Sequence, residues 1–251
     1  MNGFQTEQTI NNYIDDVIII TLPERKIYIK NVMDKMGIYF KTFNAITGNI
    51  LNTDTLIKKG ILYKNHNFKN NNEIACALSH LTVISNFLSS GKNSICVFED
   101  DISYNPDHFQ QIKKVMTEVP NDYEYINLSK CWAHCHSQIN VSESVSITKH
   151  SMCSSAYIIT RQGANKIIKN AYPIKDPVDI YFSSLMGDPI NLKFYSSNPR
   201  IFTQSRTTMS SSLDNNDICI ECDYITDSYD FTIILIILVV VMSFAYFYYI
   251  K

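Results

Sequence analysis

Apolar positions along this chain recur in two rhythms, continuous short runs and helical spacing, and the two alternate. Asp16 leads into Val17-Ile18-Ile19-Ile20, which reads as a strand buried on both faces, as in a parallel sheet. Pro23 suits the first turn of a helix reaching Met36, Gly37 stops it, and Tyr39 to Ala45 reads as a second strand. Residues 47–72 are rich in Asn, Lys and Gly and poor in apolar positions, so they are expected to form a surface loop that can order over a ligand. Ile74, Ala77, Leu78, Leu81, Ile84 and Leu88 then recur at helical spacing until Gly91. Ser94 to Phe98 is a third strand, running straight into Glu99-Asp100-Asp101. Asn105-Pro106 opens a helix with Phe109, Ile112, Val115 and Met116 on one face; Tyr125 to Leu128 and Ser155 to Thr160 read as strands, and Gly163 to Asn170 as a helix. Such alternation predicts an α/β sheet with helices on both faces, binding ligands beyond the carboxyl ends of its strands.

The pattern changes at the C-terminus. Phe231 to Ile250 carries no charge, and only Thr232 and Ser243 are polar. At about 1.5 Å per residue such a helix matches the hydrocarbon thickness of a bilayer, and Tyr246, Tyr248, Tyr249 and Lys251 suit an interface. The expected organisation is a domain at 1–226 and a transmembrane helix at 231–250. No N-terminal segment joins basic residues to an apolar run, so a single-pass C-terminal anchor with a cytosolic catalytic domain is expected. Asp227 and Asp230 before the span and Lys251 after it lean the other way.

Composition narrows the partners. A formal charge of −2 and no basic cluster argue against nucleic acid. Seven cysteines, at 76, 96, 131, 135, 153, 219 and 222, are an odd number without a recognisable framework, which implies a reduced domain with buried or idle thiols. Cys131, His134, Cys135, His136 and the later Cys219 and Cys222 match no structural zinc spacing well.

Candidate chemistry centres on the acidic triplet. Carboxylates at Glu99, Asp100 and Asp101, delivered by a buried strand to the ligand crevice, can hold a hard divalent cation that clamps a diphosphate, although spacing alone equally describes a solvated acidic turn. With 7 glycines and no phosphate-cradling glycine loop, a chain that handles a nucleotide diphosphate needs such a cation. Glu73, Cys76 and His80 share one edge of their helix, either as a structural hydrogen-bonded pair or as groups positioning a ligand. Asp179 follows Asp176-Pro177-Val178, a plain helix start with Asp176 as cap, yet a carboxylate there can also serve as a general base.

Three blocks together resemble family-25 glycosyltransferases, the group containing bacterial lipooligosaccharide galactosyltransferases and procollagen galactosyltransferases. They are Asn72-Glu-Ile-Ala-Cys-Ala-Leu-Ser-His80-Leu81 leading to Val97-Phe-Glu-Asp-Asp-Ile102; Ala156-Tyr-Ile-Ile-Thr-Arg-Gln-Gly-Ala164; and Pro177-Val-Asp179. Val17 to Leu22, Arg25 and Phe43 to Gly48 resemble the family's opening nucleotide-binding unit, so the likeness covers roughly residues 15–212. Thr21 stands where the family usually has Asn, and Asn72 and Ala75 replace usual glycines.

The resemblance implies a GT-A fold, Mn²⁺ or Mg²⁺, a UDP-sugar donor of galactose or glucose, and a glycan, lipid-linked or protein hydroxyl as acceptor, with inversion at the anomeric carbon. It implies Asp101 on the metal, Glu99 and Asp100 on the metal or the ribose, and Asp179 as base, with Glu73 and His80 next in line. It also implies Thr21, Arg25, Gln204 and Ser210 near the donor. Two rivals remain: a catalytically degenerate, tail-anchored binding protein, and a metal-dependent phosphohydrolase built on the same triplet.

Overall fold

The computed structural model describes residues 9–148, 150–186, 192–205 and 219–222. Ten strands and six α-helices are formed among them: β1 (Asp16–Thr21), α1 (Lys26–Lys35), β2 (Lys41–Asn44), α2 (Thr53–Lys58), α3 (Asn71–Ser89), β3 (Ser94–Glu99), β4 (Ile102–Tyr104), α4 (His108–Glu118), β5 (Tyr125–Asn127), β6 (Ile139–Asn140), β7 (Val145–Ile147), β8 (Ala156–Thr160), α5 (Arg161–Ala171), α6 (Val178–Ser184), β9 (Phe194–Ser197) and β10 (Phe202–Gln204). Eight strands make one sheet in the order β2-β1-β3-β8-β5-β9-β7-β6, while β4 and β10 pair apart from it.

The apolar runs are buried on both faces, as their composition requires. Val17, Ile19, Cys96, Phe98 and Ile158 point to one side, where α1 and α4 cover them. Ile20, Val97, Tyr125, Tyr157 and Ile159 point to the other, under α3, α5 and α6. Neighbouring residues of a strand face opposite ways, so each strand feeds two separate cores and neither face tolerates a polar register slip. The sheet is mixed rather than parallel throughout: β1 pairs in parallel with β2 and β3, but β8 runs against both β3 and β5. Gly163 lets α5 lie directly on the chain before β5, since a Cβ there would sit 2.3 Å from the Glu124 carbonyl oxygen.

Several expectations are corrected. The segment 47–72 is not a plain surface loop: it contains α2, buries Leu62 and Phe68, and is tied to residues 174 and 175 by the Tyr63 and Asn67 amides. Asp176 does not cap α6; its carboxylate accepts from the Asn67 side chain at 2.6 Å, and Pro177 occupies the cap position. The cysteines are not all idle thiols, because Cys131–Cys153 and Cys135–Cys222 are disulfides, which overturns the reduced domain.

The single-pass membrane anchor and the cytosolic placement drawn from it do not stand either. No helix among the described residues is long and apolar enough to cross a membrane. The longest, α3, has 19 residues, but it opens on Asn71, Asn72 and Glu73, and its apolar side is spent on the core. Residues 231–250, on which the anchor rested, lie outside the described residues.

Candidate functional site

Strands β1 and β3 run side by side with Ile20 opposite Glu99, so their carboxyl ends open onto the same edge of the sheet. Two cavities meet there. One, of about 260 Å³, is walled by Leu22, Arg25, Thr47, Gly48, Asp100 and Asp101. The other, of about 460 Å³, is walled by Lys69, Glu73, Trp132, Ser154, Asp179 and Ile180. Cys76, Glu99 and Gln204 line both, and so form the partition between them.

Each carboxylate of the triplet has a different occupation. Asp100 accepts from the Leu22 amide at 2.8 Å through Oδ2 and from Arg25 Nη1 at 3.0 Å through Oδ1. It locks the turn after β1 to the end of β3 and fixes Arg25 at the wall of the smaller cavity. Glu99 Oε1 accepts from Ser154 Oγ at 3.0 Å and lies 3.1 Å from His80 Nε2, while Gln204 Nε2 reaches Oε2 at 3.4 Å. Asp101, though only 7 % exposed, remains on the wall of the smaller cavity.

His80 is fully buried, 3.1 Å from the Tyr157 hydroxyl on its other nitrogen. A carboxylate only accepts, so Nε2 carries the hydrogen toward Glu99, and in the neutral ring Nδ1 accepts from the phenol. Burial pushes the Tyr157 phenol well up, with the Glu99 charge adding to it, which keeps that proton in place. Beneath lies an aromatic floor: Tyr125 stacks on Tyr157 at 5.0 Å and on Phe194 at 4.5 Å, and Phe182 meets Tyr157 edge-on at 5.6 Å. Such pairs add about 0.5–1.5 kcal/mol each beyond their buried area. His80 is thus a positioning residue for Glu99, held from below.

Asp179 sits at the first turn of α6, its Oδ1 accepting from the Ile180 amide at 2.8 Å. Burial raises its pKa; backbone hydrogen bonds from Ile180 and Cys153 pull it down, and the Glu99 charge pushes it up again. A carboxyl raised in this way, facing a cavity, is suited to take up a proton. Glu73 lines the same cavity with Oε2 accepting from the Lys69 amide at 2.8 Å. Burial, and then the surrounding carboxylates led by Glu99, push the Cys76 thiol well up, so it stands on the partition as a neutral thiol.

Of the residues singled out from the sequence, Arg25, Glu99, Asp100, Asp101, Gln204, Glu73, His80 and Asp179 converge on this cleft. Thr21 does not: it is fully buried and its hydroxyl donates to the Leu22 carbonyl. Ser210 lies outside the described residues. Sequence reading passed over Ser154, Tyr157 and Trp132. Tyr157 stood inside a recognised block, where a phenol in an otherwise apolar strand was the available signal.

Gly48 belongs to the site through contact. A Cβ there would lie 2.4 Å from Asn72 Oδ1 and 2.7 Å from the Asn71 carbonyl carbon, so only glycine lets this wall of the smaller cavity rest on the start of α3.

For a divalent cation, the chemistry of the donor set fits on the Asp101 and Glu99 side, where hard carboxylate oxygens line the smaller cavity. Glu99 Oε2 meets Gln204 Nε2 at the longer 3.4 Å, whereas Asp100 is held through both oxygens, at 2.8 and 3.0 Å by the Leu22 amide and Arg25, and fits less well. Cys76, His80 and Glu99 also place potential ligand atoms within 4.8 Å of one another, but a sulfur and nitrogen set suits a softer metal than the hard cations that bind diphosphate, and His80 is engaged through both nitrogens.

A mixed α/β sheet with an acidic cleft beyond its carboxyl ends is compatible with a Rossmann-like glycosyltransferase. Comparison with known proteins supplies the family: the profile of glycosyltransferase family 25 (LPS biosynthesis protein) matches residues 16–182, and this chain belongs to that family. It is 25% identical over 191 residues to a "Glycosyltransferase 25 family member" of Drosophila melanogaster, covering 70% of this chain and 31% of the fly protein. A "Putative glycosyltransferase" of Haemophilus influenzae is 29% identical over 199 residues, covering 74% of this chain and 66% of that protein. A mouse relative, 22% identical over 208 residues and covering 72% of this chain and 34% of its own length, is named "Inactive glycosyltransferase 25 family member 3". The match spans about a third of the length of the insect and mammalian relatives.

Proposed function

We propose that this chain transfers a hexose, galactose or glucose, from a UDP-sugar to a hydroxyl acceptor, with inversion, using the smaller cavity for the donor and the larger for the acceptor. The observation that carries the reading is the partition: two cavities of different character share Glu99, with a metal-competent carboxylate on one side and a raised carboxyl, Asp179, on the other.

Asp101 and Glu99 are the residues that would hold Mn²⁺ or Mg²⁺, which supplies charge neutralisation for the diphosphate and for departing UDP. The protein's own groups account for the rest. Arg25, fixed by Asp100, offers a cation at the donor wall. Asp179 takes the proton of the acceptor hydroxyl while the acceptor oxygen bonds to the anomeric carbon and the bond from that carbon to UDP breaks on the opposite face. Protonated Asp179 then returns its proton to solvent.

A second reading, a degenerate binding protein, draws support from relatives named inactive and from Thr21, which is buried and lines neither cavity. A third, phosphohydrolase, needs only the donor half. The test is UDP release from UDP-galactose and UDP-glucose with Mn²⁺, with and without methyl β-D-galactopyranoside or a hydroxylysine peptide. Release that depends on acceptor is the expected result. Equal release without acceptor would leave a hydrolase, and UDP binding without turnover would leave a binding protein.

A further inference from the structure

The chain has one tryptophan, and the fold treats it unusually. Trp132 stands 37 % exposed at the wall of the 460 Å³ cavity, and its backbone is left-handed, with φ of 50°. For a bulky side chain that conformation is uncommon and costly, and it persists only where the surroundings impose it. Here they do. The Trp132 amide donates to the Ile220 carbonyl at 2.9 Å, Cys131 and Met152 exchange two backbone hydrogen bonds, and Ala133 donates to Glu221. The disulfides Cys131–Cys153 and Cys135–Cys222 bracket the residue on both sides. A tryptophan needed for packing would be buried in one of the two cores. This one belongs to neither and lines a cavity instead, with its backbone bolted in place.

The same cavity also carries hydrogen-bonding groups beside its apolar lining. Glu73 and Asp179 present carboxylates, Lys69 and Asn67 line the rim, and Glu99 forms the boundary with the other cavity. An indole and several hydrogen-bonding side chains in one cavity match a pyranose, which has a C–H face and equatorial hydroxyls. The volume lies within the roughly 300–1,000 Å³ of small-molecule sites. A peptide would instead call for backbone partners along an open edge or groove.

Resting on the transferase reading, we propose that Trp132 is the stacking platform of the acceptor subsite and that the acceptor is a pyranose sugar rather than a protein side chain. The strained, doubly bracketed backbone keeps the indole in place before the sugar arrives, so little ordering is needed on binding. Carboxylates of the same cavity take the hydroxyls, and the hydroxyl that reacts is the one delivered to Asp179.

Because Trp132 is the sole tryptophan, indole emission from the full chain reports on this site alone. Titration with methyl β-D-galactopyranoside, methyl β-D-glucopyranoside and lactose is expected to give a saturable emission change with at least one of them. In transfer assays Trp132→Ala should raise the KM of that sugar by about tenfold, the scale of losing a buried aromatic anchor, and Trp132→Phe should recover most of it. UDP binding by calorimetry should stay within about twofold of wild type in both variants, on the scale of ordinary measurement spread, which shows that the donor half remains folded. Flat emission with all three sugars, an unchanged sugar KM in Trp132→Ala, or efficient transfer to a hydroxylysine peptide with no emission change would each overturn the assignment. If wild type neither binds nor turns over UDP-sugar, the transferase reading itself has failed and takes this inference with it; donor turnover with a silent indole sinks the inference alone.

Discussion

Replacing Asp179 by Asn separates a base from a helix-start residue. Asn can still accept from the Ile180 amide that now meets Oδ1 at 2.8 Å, so the local geometry of α6 survives. What disappears is the ability to take a proton. Removing a positioned general base lowers rates by about 10²–10⁴ fold, or about 2.7–5.4 kcal/mol of barrier. The structure favours the upper part of that range, because the neighbouring carboxylates are already engaged: Glu99 by His80, Ser154 and Gln204, and Glu73 by the Lys69 amide. UDP binding should be untouched, since the loss falls on the transition state alone.

The same residue gives two pH signatures. The base works only when ionised, and its pKa is raised, so the rate should fall with acidification beginning at a higher pH than for an ordinary carboxylate. Stability runs the other way. A folded pKa above the unfolded one contributes stability that is fully present below the unfolded value and is lost as pH rises through the folded value. Ionised Asp179 is therefore a burden on the fold at neutral pH, and Asp179→Asn should melt no lower than wild type at pH 7, with the difference closing as pH falls through the carboxylate range. A turnover within a few fold of wild type, with the melting behaviour unchanged, would return Asp179 to the role of a helix-start residue.

Asp101→Asn should abolish Mn²⁺-dependent UDP binding in calorimetry with little change in melting, whereas Asp100→Ala should lower stability by about 1–3 kcal/mol in urea unfolding, because it removes the carboxylate that accepts from the Leu22 amide and from Arg25. Equal effects of the two variants on metal-dependent binding would refute the division of labour between them. Converting both cysteines of a disulfide to Ser should cost more for Cys135–Cys222 than for Cys131–Cys153: with separations of 87 and 22 residues, chain entropy assigns about 4.6 and about 3.4 kcal/mol respectively. The shorter one should also depress turnover, since the Cys153 backbone helps hold Asp179; an active, equally stable protein under reductant would show that neither bridge matters.

What the sequence revealed and what it hid divide along physical lines. Strands β1, β3 and β8 were legible because a run such as Val17 to Ile20 leaves no choice but burial on two faces. Helix α3 was legible because its apolar spacing is unambiguous, and the shared edge of Glu73, Cys76 and His80 follows from helical geometry alone. The short strands β4, β6, β7, β9 and β10, of two to four residues, have no such signature; their partners are set by tertiary contacts. Partner choice was hidden for the same reason. Helical periodicity places His80 beside Glu73, but only the register of β3 against β1 and β8 brings Glu99 beneath the imidazole and Tyr157 behind it.

The cysteines illustrate a different blindness. Their spacing matched no metal pattern, and their odd number argued against pairing, yet pairing in three dimensions depends on Cα positions, and these lie 5.7 and 5.4 Å apart in the two bridges. The odd count arises because Cys76 and Cys96 serve other ends, one on the cavity partition and one in the core, while Cys219 sits 3.5 Å from Cys153 with its sulfur also reached by Arg200. The segment from 131 to 153, whose cysteines and histidines matched no zinc spacing, is thereby cross-braced where it lines the larger cavity. Bracing of that kind is expected where a site must hold a strained residue without help from a hydrophobic core, and it is at Trp132 that the strain and the bracing coincide.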